Sequence, residues 1–295
     1  MDDFIFVESY PPADAKVQVL RRERHCGGLT ATALITAARL GARCAYAGVL
    51  GKDDLSGFAL GHLARGGIDT TRVRRVTGAR PIYSNIVVDL KRGTRNIFYD
   101  LRQVIGADDR SPPETFIRAC RVLFVDNIGV RGMVRAARVA RRAGIPVVAD
   151  FDSSSDPQFT ELFGLADHII VSRSFARHLS GIVAPARAVR ALRTADHQVV
   201  VVTCGDTGCW YLEKGSVTPR HQPAFAVKAV DTTGCGDVFH GAYAAALAQG
   251  VSLAERVRFA AAAALKARQP GGQAGIPSLA EVQSFLRHHD EDGRA

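Results

Sequence analysis

Four short apolar runs recur through the middle of the chain, and their spacing is the strongest constraint on its fold. They occupy residues 122–125, 146–149, 168–171 and 198–202, and segments with helical spacing lie between most of them. Runs of this length and composition are typical of parallel strands buried on both faces. Alternation of such strands with helices predicts an α/β fold. We therefore predict a doubly wound, mostly parallel sheet with helices on both faces.

A polar side chain directly follows each run: Asp126, Asp150, Ser172 and Thr203. Ligands in open α/β sheets bind in the crevice outside the carboxyl ends of the strands. We therefore expect these four side chains to point toward a common crevice.

The stretch from Asp231 to Ala242 reads D-T-T-G-C-G-D-V-F-H-G-A. Residues 224–230 alternate like a strand, and residues 238–249 have helical spacing, with Gly250 as a stop. Glycines at 234 and 236 let the backbone turn sharply and approach a ligand closely. Free amides at the start of the predicted helix would attract an anion, most often a phosphate.

Asp237 stands at the start of this helix, where a bound phosphate would repel it. Two unit charges about 4 Å apart repel by about 4 kcal/mol at an effective dielectric constant of 20. The aspartate could take a proton from a hydroxyl that attacks phosphorus, while the amides hold the transferred group. It could equally cap the helix, and the short T-G-x-G-D string alone does not separate the two interpretations.

Composition narrows the class of protein. A chain of 295 residues with 47% hydrophobic residues can bury a sizeable core. No apolar run approaches the ~18 residues of a membrane span, and the first residues do not resemble a secretory signal. Six cysteines without C-x-x-C pairs argue against a zinc site and indicate free thiols in a reducing cytoplasm.

The net charge of +9 derives mostly from arginine, which occurs in clusters. In residues 134–143 the arginines interleave with apolar residues at helical spacing, as on a solvated helix face. We therefore predict no nucleic-acid partner and no membrane partner. Attraction of anionic nucleotides or sugars explains the charge as well.

The twelve residues from Asp231 to Ala242 closely resemble the D-T-x-G-A-G-D-x-F-x-G-A signature of ribokinase-like (PfkB) carbohydrate kinases. The resemblance implies that Asp237 is the catalytic base and that the amides of Gly234, Cys235 and Gly236 form an anion hole. Cys235 replaces the usual alanine at a position that contributes its backbone. In some members of the family, the positions of Asp231 and Thr233 bind a monovalent cation such as K⁺.

The resemblance also implies a sugar site. Residues 27–41 are similar to the family pattern G-G-x-x-x-N-x-A-x-x-x-x-x-L-G, so Gly27 and Gly28 would contact sugar hydroxyls. Thr32 occupies the position of the asparagine and is shorter. Asp2 aligns with the sugar-binding aspartate, and Asp126 matches an acidic position that touches the sugar in some relatives, although it could also be an ordinary loop residue.

The expected nucleotide site lies in two loops. The stretch Thr203-Cys-Gly205-Asp-Thr-Gly208 resembles the family's T-x-G-x-x-G nucleotide loop, and Gly271 and Gly272 lie in the loop near adenine. Either loop could be a plain turn. Many members carry N-x-x-E for Mg²⁺, but this chain has Ser172 to Phe175 there, so Mg²⁺ would be held chiefly by the ATP phosphates.

The resemblance implies a single kinase domain over residues 1–295, with a β-sheet lid from about 2–24 and 81–100. Within the lid we expect strands at 4–7 and 16–20 and a hairpin of 81–88 with 95–99. Such a lid excludes water and often forms a homodimer surface. In the family a complete strand precedes the aspartate that aligns with Asp2, so we expect a misassigned start or a truncated protein.

The predicted function is ATP-dependent phosphorylation of a small-molecule sugar, at a primary hydroxyl. Segments such as residues 221–225 and 270–277 look closest to the sulfofructose kinase and ketohexokinase-like branch, which suggests a ketose or modified ketose. Two alternatives stay open. A nucleoside kinase would need aromatic side chains to stack a base, and the lid offers Tyr83, Phe98 and Tyr99. An inactive sugar- or nucleotide-binding homologue would retain the fold alone.

Overall fold

The computed structural model describes residues 1–262, 265 and 272–292, which form twelve β-strands and ten α-helices. The strands are β1 (Asp2–Val7), β2 (Arg21–His25), β3 (Val49–Leu50), β4 (Arg74–Arg75), β5 (Tyr83–Asp89), β6 (Thr94–Asp100), β7 (Leu123–Val125), β8 (Val147–Asp150), β9 (His168–Ser172), β10 (Val199–Thr203), β11 (Cys209–Glu213) and β12 (Arg220–Gln222). The helices are α1 (Leu29–Arg39), α2 (Asp54–Arg65), α3 (Glu114–Arg118), α4 (Val130–Arg142), α5 (Phe159–Leu165), α6 (Arg173–Ser180), α7 (Pro185–Leu192), α8 (Cys235–Ala248), α9 (Leu253–Ala261) and α10 (Leu279–Asp292).

The main sheet of these residues has the order β12-β11-β10-β9-β8-β7. Strands β7 to β10 are parallel, whereas β11 and β12 continue the sheet antiparallel. The four apolar runs are therefore the four parallel strands, and the predicted ribokinase-like α/β fold is confirmed.

Each face of the main sheet is covered by helices. Val147 and Ala149 of β8 face a core built with α4, α5, α6 and α7. Val148, between them, faces the opposite core, which α1, α8, α9 and α10 complete. Because side chains alternate along a strand, a continuous apolar run supplies both cores at once.

A second sheet, which we call the small sheet, has the order β2-β1-β5-β6. The predicted hairpin is present as β5 and β6. The strand predicted at 16–20 is wrong, because β2 instead runs over Arg21–His25. Antiparallel pairing places His25 opposite Asp2, so the paired segment is the one that leads directly into Gly27 and Gly28.

The strand predicted at 224–230 is also wrong, since these residues have no strand structure. They connect β12, at the edge of the main sheet, with α8 on its face. Phe225 packs instead against Phe285 of α10, with ring centroids 5.1 Å apart. A segment with alternating apolar residues does not form a strand when no strand edge lies beside it. Here the apolar side chain of Phe225 packs against a helix instead.

Strands β3 and β4 form a separate two-stranded sheet. A cavity of about 1500 Å³ is lined by β3 on one side and β7 on the other. It also extends beneath the small sheet to Asp2 and to the start of α8. This position makes it the principal candidate for a ligand site.

Candidate active site

The loop before α8 turns through a glycine. Gly234 is the N-cap of α8 and has a left-handed backbone, with φ of 76°, which glycine adopts without steric cost. Gly241 lies one turn further along than Asp237, and a Cβ there would lie 2.2 Å from the Ala33 carbonyl oxygen of α1. The two glycines thus shape the turn and let α8 pack closely on α1.

The backbone amides in the first turn of α8 point out of the N-terminal end of the helix. The Cys235 amide donates to the Thr232 carbonyl at 3.2 Å. Gly236 and Asp237 are the second and third residues of the helix, where amides lack an intrahelical acceptor. The structure thus presents the Gly236 and Asp237 amides most directly for an anion, and the positive end of the helix dipole lies behind them.

Asp237 lies within the first turn of α8, and the N-cap position itself is held by Gly234, which has no side chain to cap the helix. The Asp237 Oδ2 atom lies 3.7 Å from where a Cβ on Gly234 would be. Burial, and next the carboxylate of Asp150, raise the pKa of Asp237 to about 8, while His240 opposes this shift. A carboxylate with such a pKa is suited to accept a proton near neutral pH.

Asp2 and the glycine pair lie together on the cavity wall. A Cβ on Gly27 would lie 2.0 Å from the Asp2 Oδ2 atom, so only glycine leaves room for this carboxylate. Gly28 is the N-cap of α1, with φ of 93° and open space where a side chain would stand. This leaves the backbone accessible from the cavity.

Thr32 lies in α1 and lines the cavity, but its hydroxyl is already hydrogen-bonded. The Gln273 amide donates to Thr32 Oγ1 at 2.8 Å. The other end of Gln273, Oε1, lies 2.6 Å from His62 Nε2. Gln273 is 8% exposed, so a buried network joins the shortened side chain at position 32 to α2.

Asp126 follows β7 and is buried in the wall of the same cavity. Thr30 donates its hydroxyl to Asp126 Oδ2 at 2.6 Å, and the Ile128 amide donates to Oδ1 at 2.8 Å. Burial raises the pKa of Asp126 to about 6. The carboxylate is therefore fixed in orientation beside the start of α1.

The cavity brings together nine of the predicted site residues: Asp2, Gly27, Gly28, Thr32, Asp126, Thr233, Gly234, Asp237 and Gly272. Thr203, Gly205 and Gly208 do not line it. They form a tight turn at the carboxyl end of β10, where the Cys204 amide donates to the Gly208 carbonyl at 2.7 Å.

The two glycines of this turn differ in environment. A Cβ on Gly208 would lie 2.0 Å from the Gln222 carbonyl oxygen, so its glycine is explained by packing against β12. Gly205 has φ of 63° and open space around it. Of the two, Gly205 offers backbone that a nucleotide can approach.

Asp231 binds two backbone amides. Its carboxylate accepts from Thr233 at 2.9 Å and from Gly272 at 3.3 Å. It therefore ties the loop before α8 to the short 3₁₀ turn at Gly272–Gly275. Gly271, the other glycine predicted near adenine, lies outside the described residues.

Metal ligands are sparse in the described part of the chain, which contains no group of three or more His, Cys, Asp or Glu side chains placed to hold a metal. Ser172, in place of the family's asparagine, caps α6 by accepting from the Phe175 amide at 3.1 Å. Several serines with Asp152 and His178 line a separate hollow of about 650 Å³ there. These side chains do not form a complete set of Mg²⁺ ligands, so Mg²⁺ would enter the site bound to the nucleotide phosphates.

Comparison with known proteins places this geometry in a family. A family model described as pfkB family carbohydrate kinase matches residues 1–279. The chain belongs to the pfkB family of carbohydrate kinases. Members of this family are ATP-using sugar phosphotransferases, and the chain is a sugar kinase of this type.

Individual relatives agree with this assignment. A ribokinase of Mus musculus is 31% identical over 270 residues, covering 85% of this chain and 81% of the relative. A candidate ribokinase from Agrobacterium tumefaciens has a structure with a TM-score of 0.89 at 31% identity, covering 98% of this chain and 95% of that chain. Arabidopsis thaliana ribokinase, solved with ribose and ATP, has a TM-score of 0.85 at 23% identity, covering 97% and 95%. The sulfofructose and ketohexokinase-like preference is not confirmed by these relatives.

No α-helix in the described residues of this pfkB kinase is long and apolar enough to cross a membrane.

Three functional candidates were missed by the sequence prediction: Arg95, Gln273 and His240. Arg95 contacts Thr233 from the small sheet, and its position in a hairpin gave no sign of this. Gln273 followed the predicted adenine loop, but only the fold brings it to Thr32. His240 occupies a position that the family signature leaves open, although a histidine inside an apolar helix is a signal in itself.

Proposed function

We propose that this pfkB kinase transfers the γ-phosphoryl group of ATP to a primary hydroxyl of a sugar, with Asp237 as general base. The observation that carries the proposal is the position of Asp237. It lies in the first turn of α8 and on the wall of the cavity that also contains Asp2 and Asp126. A hydroxyl held by the latter two carboxylates can therefore face a base and an anion site together.

In the reaction, the acceptor oxygen forms a bond to the γ-phosphorus while the bond to the β–γ bridging oxygen breaks. The hydroxyl proton moves to the carboxylate of Asp237. The amides of Gly236 and Asp237 donate to the charge that gathers on the transferred group, with Gly234 and Cys235 shaping the turn. Asp2, Gly27, Gly28, Thr32 and Asp126 would position the sugar.

The nucleotide would lie along the loop of Thr203, Gly205 and Gly208 and the turn at Gly272. Mg²⁺ bound to its phosphates would neutralise charge and leave the β–γ bridging oxygen a better leaving group. Asp150, Asp152 and Asp2 all raise the pKa of Asp237, so a cation carried into this carboxylate-rich site is electrostatically favoured. A monovalent cation such as K⁺ at Asp231 and Thr233 is a further part of this proposal.

The small sheet would act as a lid that excludes water from the transferred group. Its outer strand, β6, exposes Ile97, Phe98 and Tyr99, the last of which is 69% exposed. A contiguous apolar strand at a sheet edge favours pairing with a second copy, so we include a homodimer through this sheet. Six cysteines without a disulfide among them support a reducing cytoplasmic location.

A sugar acceptor is favoured over a nucleoside. Of the aromatic residues that the predicted lid offers for stacking, Tyr83 donates its hydroxyl to Asp3 at 2.7 Å, and Phe98 and Tyr99 are exposed. None of these three lines the cavity, whereas Phe4 of β1 does. The preference for a sugar therefore rests chiefly on the family and on the ribokinase relatives. A ketose or modified ketose remains the preferred acceptor class, on the strength of the sequence segments alone.

The test is ADP release measured against a panel of aldoses, ketoses and nucleosides. Turnover with a sugar is expected, and Asp237→Asn should slow it by at least ~10²-fold because a positioned base contributes that much. ATP binding should persist in this variant, and Asp156→Asn, an exposed aspartate before α5, is the matched control. Turnover only with nucleosides would contradict the acceptor class, and ATP binding without turnover on any acceptor would contradict activity.

A further inference from the structure

His240 lies directly behind the proposed catalytic base. It is in α8, three residues after Asp237, so the two side chains stand about one helical turn apart. The imidazole is 4% exposed and is enclosed by the rings of Phe124 and Phe239. The family signature D-x-F-x-G-A allows any residue at this position, so the signature does not account for the histidine.

Both ring nitrogens of His240 face carbonyl oxygens. Nδ1 lies 2.8 Å from the Gly236 oxygen, and Nε2 lies 3.0 Å from the Ile170 oxygen of β9. Carbonyl oxygens only accept, and a neutral imidazole carries a single N–H. One nitrogen of a neutral ring would therefore direct its lone pair at an oxygen lone pair in a buried site. An imidazolium satisfies both contacts.

The counter-charge is also present. Asp150 Oδ2, at the end of β8, lies 3.3 Å from His240 Nδ1. This oxygen is buried and has no hydrogen-bond partner. A buried carboxylate without a donor is costly unless a cation neutralises it. Burial lowers the pKa of His240 and raises that of Asp150, whereas the carbonyls of Ile170 and Gly236 act on His240 in the opposite direction. A protonated His240 would supply the neutralising charge.

The charges around Asp237 define what this pair can do. Asp150 and Asp152 face it from the end of β8, Asp2 faces it from β1, and His240 faces it from its own helix. Arg95 reaches the preceding loop through Thr233. Three carboxylates thus oppose ionisation of the base. A charged His240 would offset one of them directly, by pairing with Asp150.

We propose that His240 is a positioning residue of the phosphoryl transfer: it is held as an imidazolium by the carbonyls of Gly236 and Ile170, pairs with Asp150, and favours the ionised form of Asp237. The inference rests on the proposed role of Asp237 as base. It requires that the pair act on Asp237 with opposite signs. Loss of the imidazolium removes a favourable charge, whereas loss of the Asp150 carboxylate removes an unfavourable one.

The first test is the pH profile of kcat/KM for His240→Asn, Asp150→Asn and the double variant. His240→Asn should move the acid limb to higher pH by about one unit, since a charge within a few ångströms typically has this effect. Asp150→Asn should move it to lower pH by a similar amount, and the double variant should lie between. If both single variants lose activity equally at every pH, the roles are structural and the proposal is wrong.

The second test does not depend on activity. NMR of the wild-type protein with ¹⁵N-labelled histidine should show both nitrogens of His240 protonated at neutral pH, and His240→Gln identifies the resonance if His240→Asn fails to fold. A neutral ring with one unprotonated nitrogen would overturn the proposal. Were the protein to phosphorylate no acceptor, the proposed function would fail while this measurement still decided the state of His240.

Discussion

Arg95 of β6 donates from Nη1 to the Thr233 hydroxyl at 3.3 Å. The contact joins the outer strand of the small sheet to the loop that turns into α8. Thr233 immediately precedes Gly234, so the guanidinium stands beside the proposed anion hole. A cation there would meet the negative charge of the transferred phosphoryl group and would also hold the lid over it.

Arg95→Ala should lower kcat by roughly tenfold, equivalent to about 1.4 kcal/mol of transition-state stabilisation. It should also raise the ratio of ATP hydrolysis to sugar phosphorylation, because a less closed lid admits water. Both rates follow from ADP release with and without sugar. Arg92→Ala is the control, since Arg92 lies in the same hairpin and its side chain is 72% exposed. An equal effect of the two substitutions would argue for general charge rather than this contact.

The raised pKa of Asp237 predicts the pH dependence of catalysis. The base is active when ionised, and burial together with Asp150 raises its pKa to about 8. kcat/KM should therefore fall about tenfold per pH unit below that value and level off above it. Initial rates from about pH 6 to pH 9.5 test this. A profile that is flat through pH 8 would mean that the limiting proton transfer involves another group.

The same shift makes a prediction about stability. Because the pKa of Asp237 is higher in the folded state than its ordinary value of 3.8, the folded protein binds this proton more tightly. The resulting stabilisation is complete below pH ~4 and is lost as the pH rises toward 8. Asp237→Asn should thus gain in Tm relative to the wild type between pH 5 and pH 8, by roughly 2 °C or more. Asp156→Asn should show no such trend, and a constant difference for Asp237→Asn would refute the shift.

Gln273 is expected to matter for stability and sugar affinity together. Gln273→Leu would leave the buried Thr32 hydroxyl and His62 without their partner, at a cost of about 1–3 kcal/mol. Gln158→Leu is the matched control, because Gln158 is exposed and does not line the cavity. We expect a lower Tm and a higher KM for sugar with an unchanged KM for ATP. A KM effect confined to ATP would place Gln273 in the nucleotide site instead.

The sequence predicted the parts of the fold that depend on local pattern. The strands β7 to β10 were recognisable because a strand covered on both faces is apolar throughout. The turn at Gly234 was recognisable because glycine permits a left-handed backbone, and the helix after it was recognisable from the helical spacing of its apolar residues. The sugar-site positions 2, 27 and 28 came from family resemblance, whereas Asp126 and Asp237 were also indicated by their places after a strand and at a helix start. The cavity that all five share appears only in three dimensions.

The errors arose where tertiary contacts, rather than local sequence, determine the structure. Residues 16–20 alternate between polar and apolar side chains, whereas Arg21–His25 are all polar, and the register with Asp2 nevertheless selects the second segment. Residues 224–230 alternate but have no strand beside them. The link from Thr32 to Gln273 spans most of the chain, so no local pattern could predict it.

The gap between β3 and β7 yields the last prediction. On β7, Leu123 donates its amide to Pro146 toward β8, so Phe124 directs its amide and carbonyl into the gap, as alternation along a strand requires. On the other side, Gly48 and Leu50 accept from Arg74 and Val76 in and after β4, so Ala47 directs its polar groups into the gap. Both edges line the cavity of about 1500 Å³. On the β3 edge, Val49 already donates its amide to the Gly106 carbonyl; the remaining backbone groups suit one further strand, because buried backbone groups need partners.

A chain extended ahead of Met1 by a short β-branched segment is therefore expected to fill this gap, since Met1 and Asp2 lie on the cavity wall. The segment can be a designed β-branched sequence, with a Gly/Ser extension of equal length as the control. The β-branched extension should raise Tm by several degrees and slow amide hydrogen exchange at Phe124 and Ala47, because both would gain hydrogen-bond partners. It should also raise kcat, since Asp2 and Asp126 both line this cavity and would be held at a fixed separation. If both extensions leave Tm and exchange unchanged, the gap does not accept a strand and the two carboxylates depend on the existing packing alone.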